Sequence, residues 1–443
     1  MAVRYVFMRT FAGISVVVVL EVAVAVAVVL WRRRSSDARA FARAVAPGSA
    51  LTAVLEIEDC DALLASSSRL RPVLPVRILD ELRADPLLGL ADVQVVQHVQ
   101  PTGVGLPERS QVGLSYQDLN ESVARAARPA LGGADSEPVP ALRLTWLALR
   151  LELPGSRNAE WADRGSEPIA ARGGGAAGAA RTIDKAVRTA AAKLAVAGFT
   201  ARTLTENDLQ QSLATSYGVP ATEDVLAGGG GVVVGMDPSR RPVVLGLFGR
   251  GSPAVSLIGG FHLAQLLVLR AAGVGARVIV ETARPESWDA LVLRSGLDAS
   301  RLAVQPIGRL VGNPGWPSPS PTAPLLVLRD CGARPRFATA PHGPWATVLT
   351  LLPYLDPRTA GQVGAADLVG VQRMPAAEAP FAAVALRLSA RDAAALLELP
   401  DAMTLWRARG SGGHSGTGAG AVRRYAETVP TAWERGILGD PSR

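Results

Sequence analysis

The stretch RGGGAAGAA, residues 172–180, sets Gly173, Gly175 and Gly178 at the G-x-G-x-x-G spacing of dinucleotide-binding loops, and its reading decides the fold. That fingerprint works where a strand turns directly into a helix whose first amides meet a pyrophosphate. The nearest upstream strand pattern, LRLTWLALRLEL (142–153), is separated from the glycines by PGSRNAEWADRGSEPIAARG (154–173). The tight turn is therefore missing. The strand pattern that follows, FTARTL (199–204), also lacks an acid for a ribose. The glycines read instead as a loop feeding an alanine-rich helix, AARTIDKAVRTAAAKLAVAG (179–198). Its apolar face runs through Ile183, Val187, Ala190, Leu194 and Ala197, and Gly198 is its C-cap.

Working outward, ALTAVLEIED (50–59) and ADVQVVQHV (91–99) read as strands. Between them LPVRILDELRADP (74–86) places Val76, Leu79 and Leu82 at helical spacing. The order from 50 to 218 is thus β-α-β-β-α-β, the split β-α-β or ferredoxin-like pattern of an α+β domain. A further helix is expected at TENDLQQSLA (205–214), with Thr205 and Asp208 as a capping pair.

The region 224–409 has a different rhythm. Short apolar runs at 242–249, 254–260, 276–285, 301–308, 324–332 and 366–374 alternate with turns and helical patterns such as FHLAQLLVLRAAG (261–273). This predicts a mostly parallel, doubly wound α/β domain. It resembles a degenerate P-loop NTPase core of the kind found in secretion and DNA-translocation motors, with PLLVLRD standing as a Walker B strand ending at Asp330. A working phosphate loop needs a lysine for the terminal phosphates and a hydroxyl for magnesium. Here Gly259, Gly260, Phe261, His262 and Leu263 supply neither. Gly259, Gly260, His262 and Asp330 remain a weak candidate ligand loop, and a nucleotide-binding fold without nucleotide chemistry is expected.

No catalytic residue, cofactor or metal set is expected elsewhere. His98, His262, His342 and His414 are scattered, and Cys60 and Cys331 lack metal-ligand neighbours. Trp288 and Trp345 read as core packing or as docking anchors. The net charge of +7 over 443 residues is spread without a basic stripe, which argues against nucleic acid as a partner.

The N-terminal region carries the clearest physical signal. After a short segment (1–9), TFAGISVVVVLEVAVAVAVVLW (10–31) is apolar except for Glu21. At about 1.5 Å per residue it spans a hydrocarbon core of roughly 30 Å. Glu21 is expected to be neutral or to pack against another helix within the membrane. Arg32, Arg33 and Arg34 open a basic juxtamembrane linker (32–49) and place the C-terminal side in the cytoplasm, with the N-terminus outside. The expected location is a plasma membrane, single-pass. At the other end (410–443), a Gly/Ser linker leads to AVRRYAETVPTAWERGILG (421–439), which either docks as a short helix through Tyr425 and Trp433 or forms a tail.

Residues 142–209 also carry a family resemblance. LRLTWLALRLEL followed by AARGGGAAGAARTIDKAVRTAAAKLAVAGFTARTLTENDL resembles the central region of EccE, a membrane component of actinobacterial type VII (ESX) secretion systems. The shared features are a W-x-x-L-R strand at Trp146, Leu149 and Arg150, an R-G-G-G segment at Arg172, an alanine-rich helix and a strand closing with L-T. The resemblance implies a scaffold subunit of a secretion channel that meets membrane lipid and the EccB, EccC ATPase and EccD components. The alternative is a membrane-tethered nucleotide-dependent enzyme, ATPase-like or a transferase, with an atypical phosphate loop. A divalent-metal or phosphate site would distinguish the two.

Overall fold

The computed structural model describes residues 50–59, 63–66, 73–100, 102–103, 106–107, 110–127, 139–154, 159–205, 217–219, 225–226, 230–307, 318–330, 343–409 and 422–439. The expected span 10–31 with Glu21, the Arg32, Arg33 and Arg34 cluster, Cys60, Cys331, His342, His414 and residues 206–216 lie outside them. Among the described residues no helix is long and apolar enough to cross a membrane. The chain forms two compact units. One holds the described residues of Met1–Val54 with Arg77–Gln94 and Ala148–Lys193; the other holds Leu55–Val76, Val95–Leu147 and Leu194–Arg443.

The structure is mixed α/β, and its smaller sheet has five strands. Its strands are β1 (Ala50–Asp59), β4 (Asp92–Gln100), β5 (Leu142–Glu152), β6 (Phe199–Thr203) and β7 (Tyr217–Val219), in the order β6-β1-β5-β4-β7. The units β1-α1-β4 and β5-α4-β6, with α1 at Val76–Ala84 and α4 at Gly175–Val196, each have a strand of the other between their own two strands. That insertion is what splits a β-α-β unit. On α4 the buried positions are Ala179, Ile183, Ala186, Ala190 and Leu194, one stripe at helical spacing. Val187 and Ala197, expected on that stripe, are less buried. An ion pair between Lys193 and Glu81 links α4 to α1.

The glycine-rich stretch joins a helix to a helix. The segment expected as a loop contains α3 (Ala159–Ala171), which runs through Gly165 and Pro168, two residues that weaken any helix assignment from sequence. Gly165 is required by packing, because a Cβ there would lie 2.7 Å from the Glu152 carbonyl oxygen. Gly173, Gly174 and Gly175 then take φ of 97°, 66° and 57° and reverse the chain into α4. Only glycine adopts three such angles in a row at low cost. Gly178 lets α4 approach the end of α3, since its Cβ would fall 2.5 Å from the Ile169 carbonyl oxygen. The spacing that mimics a pyrophosphate loop thus serves a helical corner.

The other unit is built on an 11-stranded sheet in the order β13-β12-β14-β15-β11-β16-β17-β18-β9-β10-β2. From β13 to β16 all neighbours are parallel: β11 (Ala254–Ile258), β12 (Arg277–Thr282), β13 (Leu302–Pro306), β14 (Leu325–Asp330), β15 (Ala346–Leu352) and β16 (Leu368–Val371). An antiparallel extension continues through β17 (Met403–Ala408), β18 (Val422–Glu427), β9 (Val232–Met236), β10 (Pro242–Leu245) and β2 (Leu64–Ser66). A separate pair joins β3 (Val73–Leu74) to β8 (Val225–Leu226).

Helices cover both faces of the parallel half, as a doubly wound sheet requires. On one face Val255, Leu257, Val278, Val280, Leu326 and Leu328 pack with Leu263, Leu267 and Ala271 of α5 (Phe261–Gly273). On the other, Ile258, Leu352, Val369 and Leu405 pack with Val363 of α7 (Pro357–Ala365) and Ala382 and Leu386 of α8 (Ala379–Leu386). In sequence α6 (Asp289–Ser295) follows α5, and α9 (Ala390–Ala395) follows α8. Alternation of face along each strand explains why these runs are apolar throughout.

Two further helices complete the first of these faces. Between β4 and β5 the chain forms α2 (Gln111–Ala127), whose Val112, Tyr116, Leu119 and Val123 join the α5 core. Tyr116 accepts a hydrogen bond from the Val233 amide at 2.9 Å and donates to the Gly231 carbonyl. Gly273 permits this contact, because its Cβ would lie 2.6 Å from that of Tyr116. The C-terminal segment docks: Val422–Glu427 pairs with β17, and α10 (Ala432–Leu438) caps itself through Thr431 and Glu434.

Candidate functional site

In open α/β sheets ligands bind beyond the carboxyl ends of the strands, where outgoing connections diverge. Here β11 leads through α5 to β12 on one side, while β15 leads through α7 to β16 on the other, with the two helices on opposite faces. The switch point lies at the ends of β11 and β15. Gly259, Gly260 and His262 sit there, and Asp330 closes β14, with only β15 between β14 and β11. At about 4.8 Å per strand the two addresses are roughly 10 Å apart. The sequence thus brings all four residues to one end of the sheet.

Their environment is already furnished by protein groups. The Gly259 amide donates to the Leu352 carbonyl at 3.1 Å. The Gly260 amide, the one a phosphate would use at the start of α5, donates to Oε1 of Gln372 at 2.6 Å. Gln372 is held in turn, its amide donating to Ile258 O at 3.0 Å and its Nε2 to Asp401 O at 3.2 Å. A Cβ on Gly259 would meet Gln372 Oε1 at 2.5 Å, so the glycine accommodates a side chain of the same protein. Gly260 has φ −72° and ψ 149°, an extended conformation and no left-handed anion nest. His262 occupies the first turn of α5, partly buried.

Asp330 is equally engaged. Its Oδ2 accepts from the Thr282 hydroxyl (2.9 Å), Arg284 Nε (2.9 Å) and Trp288 Nε1 (3.1 Å), and Oδ1 accepts from the second arm of Arg284 (2.9 Å). Arg284 lies 4.4 Å over the ring of Phe261, which meets Trp288 edge to face at 4.9 Å. Burial works against the charged carboxylate, but the donors Arg284, Trp288 and Thr282 outweigh it and hold the Asp330 pKa below the usual value. The group is a clamp between β14 and the turn after β12, satisfied by its own neighbours. Among the described residues no group of His, Cys, Asp and Glu could hold a metal ion.

Gln372 and Arg284 are the residues sequence reasoning missed. Gln372 directly follows β16 and Arg284 stands two residues beyond the end of β12, both on the ligand-binding side, and that position was the available signal.

A pH experiment tests the clamp. Because the folded pKa of Asp330 is lowered, its contribution to stability is present above the unfolded carboxyl pKa of about 3.9 and disappears as pH falls through the folded value. Asp330→Asn should cost about 1–3 kcal/mol at pH 7. In urea titrations at neutral and acid pH, the gap between wild type and variant should close in acid. An unchanged gap would show that the charge of Asp330 is immaterial.

Residues 139–228 match a family model described as "Putative type VII ESX secretion system translocon, EccE". The match takes in β5, α3, α4, β6, β7 and β8 and includes the stretch 142–209 that carries the resemblance. It contains neither the Gly259 loop nor Asp330. No curated protein matches the chain.

Proposed function

We propose that the protein is a membrane-anchored structural subunit of a type VII secretion translocon and carries out no reaction of its own. The family match over residues 139–228 is the observation that carries this reading. The anchor is the apolar stretch 10–31, with Arg32, Arg33 and Arg34 holding the following residues on the cytoplasmic side. The partners are other channel components, EccB, EccD and the EccC motor ATPase. Absence of catalysis is supported by the two addresses at the switch point. A carboxamide, Gln372, takes the amide that a phosphate would need, and Arg284 neutralises the carboxylate that a metal would need.

Affinity purification of the tagged full chain from its native membrane in mild detergent, followed by mass spectrometry, tests the proposal. Co-recovery of a motor ATPase with other translocon subunits is expected. Recovery of the chain alone would overturn it. The same preparation should show no thermal stabilisation by magnesium-ATP; a rise in Tm would favour a nucleotide-dependent enzyme.

A further inference from the structure

The described residues include four buried arginines, Arg270, Arg277, Arg329 and Arg407. Arg270 pairs with Glu434, Arg329 with Glu281, and Arg277 donates to the carbonyls of Ser318 and Ala323. Arg407 differs. It is 7% exposed, its enclosed Nε has no hydrogen-bond partner, and among the described residues no carboxylate or carbonyl binds its guanidinium. Enclosing a donor without an acceptor is costly and needs an explanation.

Its surroundings make the cost greater. Arg407 lies on the face of β17 shared with Leu405, between Val369 of β16 and Arg423 of β18, with Arg423 directly opposite in the antiparallel register. Like charges in that position repel. Arg423 donates to Asp392 Oδ2 at 2.7 Å and to the carbonyl of Arg387 at 2.9 Å. Arg387 itself ends α8 in the left-handed region, φ 51°. Arg409, just beyond the end of β17, donates to the Gly364 carbonyl at 2.7 Å. Burial lowers the Arg407 pKa, and the charges of Arg423, Arg387 and Arg409 push it the same way. The one carboxylate in contact with these arginines is Asp392, which meets Arg423 and is shared with the Ser389 hydroxyl at 2.9 Å.

We propose that Arg407 and the facing Arg423, with the charges of Arg387 and Arg409 nearby, form a binding site for a phosphoryl group. A carboxylate is already present and satisfies only Arg423. A phosphate monoester brings up to two negative charges and several acceptor oxygens, which match the forked donors of several arginines. The site sits beneath α8 and α9, apart from the Gly259 loop, and does not depend on the secretion reading.

The source of the phosphoryl group, free in solution or on a lipid headgroup, is separated by two arms of one experiment on the full-length chain. In the first, Tm is followed in about 10 mM inorganic phosphate against sodium chloride of equal ionic strength. A rise of roughly 3–6 °C is expected for wild type and none for Arg407→Met. In phosphate-free buffer Arg407→Met should melt no lower than wild type, since the change keeps an unbranched apolar stem and removes an unpaired charge. In the second arm, retention on phosphatidylcholine vesicles with and without phosphatidic acid is compared for the same two chains. A response confined to free phosphate, or to phosphatidic acid, and lost in Arg407→Met supports the site and identifies the source. No response in either arm, or an equal response of the variant, overturns it.

Discussion

Replacing Glu434 with alanine should lower the stability of the larger unit by about 3–5 kcal/mol, the cost of leaving a buried cation without its partner. The cation is Arg270, in the last turn of α5 and 1% exposed. Its Nε and Nη2 donate to Glu434 at 2.8 and 3.0 Å, Nη1 donates to the Val234 carbonyl, and Nη2 also donates to that of Val429. Glu434 also accepts from the Thr431 amide at 2.7 Å, closing the capping box of α10, and Ser115 on α2 lies 2.8 Å from the Thr431 hydroxyl. One carboxylate therefore ties α10 to α5 and fixes its own helix start, a cap worth about 1 kcal/mol. A matched apolar pair, Arg270→Met with Glu434→Leu, should recover most of the loss, because well-packed apolar residues replace buried ion pairs at little cost. Denaturant midpoints of the single and double variants measure both. A single-variant loss under about 1 kcal/mol would mean that Arg270 finds water or another acceptor.

Trp288→Ala should be as damaging, about 3–5 kcal/mol, on the scale of other buried aromatic deletions. Trp288 is fully buried in the α5 core, meets Phe261 edge to face and donates to Asp330. Trp288→Phe keeps most of the volume and loses only the hydrogen bond, so about 1 kcal/mol is expected. The two variants separate packing from the clamp. Equal losses would assign the whole effect to the Asp330 contact.

Much of the fold was legible because its signals are local. Gly198, at φ 87°, ends α4 where the sequence placed the C-cap, and the alternating strands 50–59 and 142–152 gave the split order before any contact was known. Two helices escaped notice for local reasons as well. In α3, Gly165 and Pro168 serve packing and weaken the helical pattern. In α2, Gly113, Ser115 and Asn120 dilute the pattern, and Asn120 works through tertiary contacts, exchanging hydrogen bonds with Val139. The site was half legible. Strand ends at a switch point can be found from element order, and Gly259 and Asp330 are there. What fills them could not be read, since Gln372 is 112 residues from Gly260 and Arg284 is 46 from Asp330. Such partners are chosen by topology.

The edge strand β2 has a bearing on how the protein is made. Leu64–Ser66 pairs with Val243–Leu245, and the chain passes from one unit to the other repeatedly between these partners. During synthesis the first edge of the large sheet leaves the ribosome long before its neighbour, and the parallel strands follow later still. The smaller unit is complete in sequence at Lys193, whereas the larger one waits for Val422–Glu427 and is slow to close, as long-range strand pairing dictates. If the stretch 10–31 inserts first, this wait takes place at the membrane surface, beside the channel components proposed as its partners.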